Sequence, residues 1–201
     1  GRFILQNGFI PSVNLFSFTE PFQPWMPHEW LFQIILYGIF SHFGAIGVFF
    51  LRLVIFAGII TLLFGLSDFP RMRLFSIMGL LVTSQAILLR FDDRPEMFSA
   101  LFLAAYFWIL EKWRVKNSRV IWLIPVIQAL WVNIHGYFLI VLAFIFAFGL
   151  GELRPGKKFI SSLIGLRPLL LVGVASAAAC LINPHFDRGV IRLFEIALQV
   201  G

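Results

Sequence analysis

The sequence predicts an all-α, polytopic helical membrane protein, with about six spanning helices and short interfacial helices beside them. Three observations lead there. First, 60% of the 201 residues are hydrophobic and 13% are charged, against roughly 45–50% and about 25% in soluble globular domains. Second, the apolar residues gather into runs of about 15–23 separated by short polar stretches, the pattern of repeated membrane crossings. Third, the charges divide by loop. Ten of the sixteen cations and three of the ten acids occupy loops 68–73, 111–119 and 152–167, while five cations and seven acids fall in the alternate loops. Cytoplasmic loops carry excess Lys and Arg, which puts the first set inside. The net charge of +6 therefore reports topology rather than nucleic-acid binding, and no nucleic-acid partner is expected. Cys180 stands alone in an apolar run, so neither a disulfide framework nor a cysteine metal cluster is available.

Residues 1–28 read as an extracytoplasmic loop, rich in proline, polar residues and the aromatics favoured at a membrane interface. Residues 29–201 read as the transmembrane helical domain. There is no initiator Met and no signal segment, and we read the chain as a piece of a longer protein at both ends. Residues 29–43 are apolar but cover only about 22 Å as a helix, less than a bilayer core of about 30 Å. Glu29, Gln33, Tyr37 and Ser41 recur every four residues along it, so an interfacial or re-entrant helix is expected. Spans are then predicted at 46–67, 74–90, 96–111, 120–133, 136–151 and 167–182, several of them short. Residues 187–200 place Arg188, Arg192, Glu195 and Gln199 on one face, the pattern of a further amphipathic helix.

With 29–43 not crossing, four chemically rich stretches share the non-cytoplasmic side: "HEW" (28–30), "RFDDRPE" (90–96), "NIHG" (133–136) and "NPHFD" (183–187). Glu29 opens an apolar helix, where the helix dipole favours a carboxylate; facing a cavity, it is a proton acceptor or metal ligand. His28 beside it is a ligand or an interfacial polar tip. In "RFDDRPE", Asp93 and Glu96 have capping-box spacing and Pro95 suits a first turn, while Arg90, Asp92, Arg94 and Glu96 can also meet a polar substrate. Arg52 either snorkels or binds a lipid phosphate through its fork of donors. Asn133 and His135 sit in a tight turn that Gly136 can relax, and His185 follows a second turn; ordinary turn chemistry explains both equally. Glycine-rich phosphate loops, Ser/His/Asp arrangements and spaced Cys/His zinc signatures are absent.

The stretch "GRFILQNGFIPSVNLFSFTEPFQPWMPHEWL" resembles the first extracytoplasmic loop of bacterial GT-C class glycosyltransferases, among them relatives of protein O-mannosyltransferases and lipid A aminoarabinose transferases. Gly44, the Arg52-Leu53 pair, the spacing from Arg90 to Glu96, "WVNIHG" and "NPH" extend the resemblance over most of the chain. It implies a polyprenyl-phosphate-linked sugar donor, transfer to an acceptor on the extracytoplasmic side, and residence in the inner (plasma) membrane among membrane lipid. It also implies acidic residues acting as base or as ligands of a divalent metal ion. On this resemblance Glu29, Glu96 and Asp92 are the catalytic candidates, with Glu29 and Glu96 as the metal candidates facing one cavity. Arg52, Arg90, Arg94, His28, Asn133, His135 and His185 are the substrate-binding candidates. The sequence departs from the pattern at Asn14, where many relatives carry Asp, and at Phe22, where Gly is common. The family's leading Asp would precede Gly1, leaving the principal base unassigned. The competing expectation is a multi-pass transporter or channel with an acidic extracytoplasmic ion site. Such proteins hold their ionisable residues near the bilayer midplane, whereas here these residues concentrate at one surface.

Overall fold

The computed structural model describes residues 1–15, 17–19, 24–66, 93–152 and 165–185. Among them the protein is all-helical, with one isolated bridge between Val13 and Pro24 and no strand. The expected span 74–90, the amphipathic segment 187–200, Arg90, Asp92, and most of the basic residues in loops 68–73 and 152–167 lie outside the described residues. The chain divides into two compact units, one of residues 1–38 and 122–201 and one of residues 39–121.

In the first unit, α1 (Arg2–Asn7) is one short turn closed by Gly8 in the left-handed region. A loop then leads to α2 (Trp30–Phe64), whose beginning belongs to this unit. The remaining helices are α4 (Ile124–Ile134), α5 (Leu139–Gly151) and α6 (Arg167–Ala179); α6 packs against both α4 and α5. Their buried faces carry Ile124, Trp131, Val141, Ile145, Leu169 and Val172. The helices are apolar on the outside as well: Ile140, Phe146, Leu170, Leu171 and Val174 are exposed. A helix apolar all round belongs in the core of a large protein or in a membrane.

The core holds one polar knot. Gln128, fully buried, donates to the Phe138 carbonyl at 3.1 Å and to Cys180 Sγ at 3.2 Å, and Cys180 donates to the Ser176 carbonyl at 3.3 Å. A carboxamide buried among apolar helices needs such partners, because an unsatisfied one costs about 1–3 kcal/mol. Sequence patterning had passed over Gln128; a single carboxamide inside an apolar run was the available signal.

The second unit holds most of α2 and all of α3 (Glu96–Lys116). The break expected between 43 and 46 falls at Gly44, with φ 61° and ψ −154°. Only glycine occupies that region readily, so the apolar pattern continues through it while the backbone turns. Beyond the kink, α2 comes close enough to α3 that a Cβ on Gly58 would lie 3.1 Å from Leu101 Cδ1. Helix α3 outruns the expected span 96–111 and carries Lys112, Arg114 and Lys116 in its final turns. Cations there face the negative end of the helix dipole, so this basic "loop" is helix until Asn117 closes it in the left-handed region.

The capping box expected from Asp93 and Glu96 does not form. Pro95 is the N-cap and no side chain caps the helix: the helix begins at Glu96, so Asp93 lies two residues before the cap position, and its carboxylate is 3.1 Å from Arg52 Nε.

Among the described residues, Trp30–Phe64 is the helix long and apolar enough to cross a membrane, and only 17% of its most apolar stretch is buried. Arg119–Ile134, Gly136–Gly151 and Arg167–Ala179 are apolar but shorter than 18 residues.

Candidate functional site

The first unit gathers three of the four rich stretches. Glu29 immediately precedes α2 and its carbonyl accepts the Gln33 amide at 3.1 Å. That makes it the residue from which the helix starts, with its carboxylate set off the helix. Carboxylate Oε1 lies 3.7 Å from His28 Nε2 and 3.7 Å from His135 Nε2. These separations are within ion-pair reach and beyond a direct hydrogen bond. The three side chains differ in access. His28 is 37% exposed, Glu29 31% and His135 7%.

His135 is placed by a chain break. It links α4 to a 3-10 turn (Gly136–Phe138) in extended conformation, φ −155° and ψ 147°. The break expected of Gly136 is therefore made at His135, whose amide still caps the Trp131 carbonyl at 2.9 Å. The ring stands edge-on to Tyr137 with centroids 4.2 Å apart.

"NPH" forms a side-chain-closed turn after α6. Asn183 Nδ2 donates to the Cys180 carbonyl at 2.9 Å, and Asn183 Oδ1 accepts the His185 amide at 2.8 Å. Asn before Pro suits this chemistry. The turn carries the His185 ring against the first loop. Burial pushes its imidazole below the ordinary value, and the charge of His28 pushes the same way. A hydrogen bond to the Pro27 backbone opposes both. His28, Trp30, Phe138, Asn183, Pro184 and His185 line a narrow crevice here. A broader cleft of about 520 Å³ shares Trp30, Asn183 and Pro184 with it and adds Asn133, Leu181 and Ile182.

Asn133 is buried and fully engaged. Its Oδ1 accepts Trp30 Nε1 at 2.8 Å, and its Nδ2 donates to the Ala129 and Ile182 carbonyls at 2.8 and 2.7 Å. Along α5 and α6 runs an apolar groove of about 510 Å³, walled by Leu142, Ile145, Phe146, Leu166, Leu170 and Val174 among others.

In the second unit, Arg52 Nε lies 3.1 Å from Asp93 Oδ1, with the two side chains 35% and 46% exposed. Arg94 and Glu96 are exposed beside Pro95. The fourth stretch thus supplies an Arg–Asp pair in which Asp93 is the partner; the sequence reading had selected Asp92, which lies outside the described residues together with Arg90. Glu29 belongs to the first unit and Glu96 to the second. Among the described residues no three His, Cys, Asp or Glu side chains group as a metal's ligand set.

No protein-family model matches the chain, and no curated protein or solved structure is significantly similar to it.

Proposed function

We propose that the chain is the membrane-embedded part of a GT-C type glycosyltransferase that moves a sugar from a polyprenyl-phosphate donor to an acceptor on the extracytoplasmic side. The observation that carries this reading is the convergence of Glu29, His28, His135 and His185 from three distant stretches, each of which bears part of the resemblance. The acceptor hydroxyl must lose a proton as its oxygen attacks the anomeric carbon. A partly exposed carboxylate can take it, and typically contributes about 10²–10⁴-fold. His135 and His28 flank that carboxylate and favour its charged form when protonated. Arg52, paired with Asp93, and exposed Arg94 are the phosphate-binding candidates of the second unit, since a guanidinium matches phosphate oxygens bidentately. Glu96 and the Glu29 metal role stay in the proposal as candidates. The apolar groove beside α5 and α6 is assigned to the donor's hydrocarbon chain.

The multi-pass arrangement belongs to the same proposal. It is supported by outward-facing apolar side chains in both units and tested by topology. With Cys180 replaced, single cysteines in loops 68–73, 111–119 and 152–167 should resist a membrane-impermeant thiol reagent in intact cells, whereas one at position 92 should react. Equal labelling at all sites refutes the arrangement.

Transfer is tested with the full-length protein and a panel of radiolabelled polyprenyl-phosphate sugars, with and without EDTA. Transfer that vanishes in Glu29→Gln supports the reading, and loss with EDTA supports a metal. Failure of every donor refutes the transferase. The transporter reading draws on one feature, the helix broken at Gly44, since transporters build ion sites from discontinuous helices. Ion-gradient-driven uptake into proteoliposomes would favour it.

A further inference from the structure

We infer that Asn133 is a positioning residue that sets the distance between Glu29 and His135, rather than a ligand for substrate. The inference rests on the proposed role of Glu29 as proton acceptor. The two groups come from positions more than a hundred residues apart, and no covalent constraint fixes their approach. One side-chain hydrogen bond spans that separation at 2.8 Å, between Trp30, the residue after Glu29, and Asn133, two residues before His135. The same carboxamide reaches the Ile182 carbonyl at 2.7 Å, at the start of the turn that carries His185. Its link to Ala129 at 2.8 Å ties it to its own helix, so the carboxamide cannot swing. Both Nδ2 hydrogens are thereby committed to the fold. The group is 7% exposed at the wall of the broader cleft, and with its hydrogens committed it holds three segments in register. Catalytic geometry is sensitive to such a hold: a displacement of about 1 Å costs on the order of 100-fold.

The test uses Trp30→Phe, which keeps an aromatic body and deletes the N–H donor. The full-length protein is assayed for transfer from the polyprenyl-phosphate sugar panel. In parallel, diethylpyrocarbonate acylation of each histidine is followed by mass spectrometry. This reagent modifies imidazole nitrogens that solvent reaches, so His28 should react in the wild type and His135 should be protected. In Trp30→Phe, kcat should fall about tenfold or more with KM within about threefold. His135 acylation should rise at least about fivefold as the segment opens locally.

A folded Trp30→Phe with wild-type kcat and a protected His135 overturns the inference. If Trp30→Phe folds poorly, the double variant Trp30→Phe/Asn133→Leu removes the orphaned acceptor together with the donors to Ala129 and Ile182. Positioning predicts that kcat stays low and His135 acylation stays raised in it. Wild-type kcat with a protected His135 overturns the inference. If Glu29→Gln transfers at the wild-type rate, the reading of Glu29 falls, and the acylation pattern alone then decides whether Asn133 holds His135 in place.

Discussion

Two of the acid–base pairs among the described residues, Arg52–Asp93 and Glu29–His135, invert the usual relation between distance and commitment. Arg52 and Asp93 approach to 3.1 Å with side chains 35% and 46% exposed, although the Nε atom that makes the contact is itself buried. Glu29 and His135 stand 3.7 Å apart, with the imidazole 7% exposed. Water screens the closer pair and repays most of its separation, so an exposed ion pair is worth about 0–1 kcal/mol. The longer contact is held at the edge of a packed core, where a change of charge is felt more strongly. The shorter distance therefore identifies the more replaceable pair, and the proposed proton acceptor sits in the longer one.

The severest way to break this comparison is Glu29→Gln, which keeps shape and removes charge. Transfer should fall about 100-fold or more while the thermal midpoint in detergent barely moves. A near-wild-type rate would make "HEW" a helix start and nothing else. Backbone strain is the next largest effect. Gly44→Ala forces a side chain into a region that glycine alone accepts readily, and should cost about 1–3 kcal/mol by reversible denaturation. A neutral result would mean that the kink is not held at φ 61°.

Exchanging the two histidines for glutamine sharpens the contrast within the first unit. His135→Gln should slow transfer by about tenfold or more, and His28→Gln by clearly less, since the buried neighbour has less water to substitute for it. The opposite ranking would put the working contact at the surface. For the second unit, Asp93→Asn should change stability by no more than about 1 kcal/mol. A loss several times larger would show that Arg52 depends on Asp93 far more than its exposure allows.

The smallest effect is on pH dependence. The folded protein holds the His185 imidazole below its ordinary 6.5, so between the folded and unfolded values the unfolded chain binds more protons. The stabilising contribution is complete above about 6.5 and is lost as pH falls through the folded value. His185→Gln should flatten that acid-side decline in the thermal midpoint. An unchanged slope would assign the decline to other groups.

Much of the architecture was legible in the chain because apolar periodicity and the reach of a helix are local properties. The all-helical class, the break near residue 44 and the helix starts at 96 and 167 follow from runs of Leu, Ile, Phe and Val interrupted by Gly, Pro and charge, whereas the starts expected at 120 and 136 fall on 3-10 turns that lead into the helices beginning at Ile124 and Leu139. Counting crossings and loop charge put four stretches on one side, "HEW", "RFDDRPE", "NIHG" and "NPHFD", of which the first, third and fourth belong to the first unit and "RFDDRPE" to the second. Partner choice was not legible. Asp93 has the spacing of a cap, but the helix starts at Glu96 with Pro95 as its cap residue, and Asp93 meets Arg52. Asn133 reads as turn chemistry or a ligand until Trp30 and Ile182 arrive to consume its hydrogen bonds. Gln128 reads as a polar interruption until Phe138 and Cys180 surround it. The sequence by itself determined where helices form and which side chains are chemically capable, since both depend on neighbours a few residues away. Tertiary structure alone decided which capable groups meet, because a hydrogen bond or an ion pair depends on ångström-scale distances between segments a hundred residues apart.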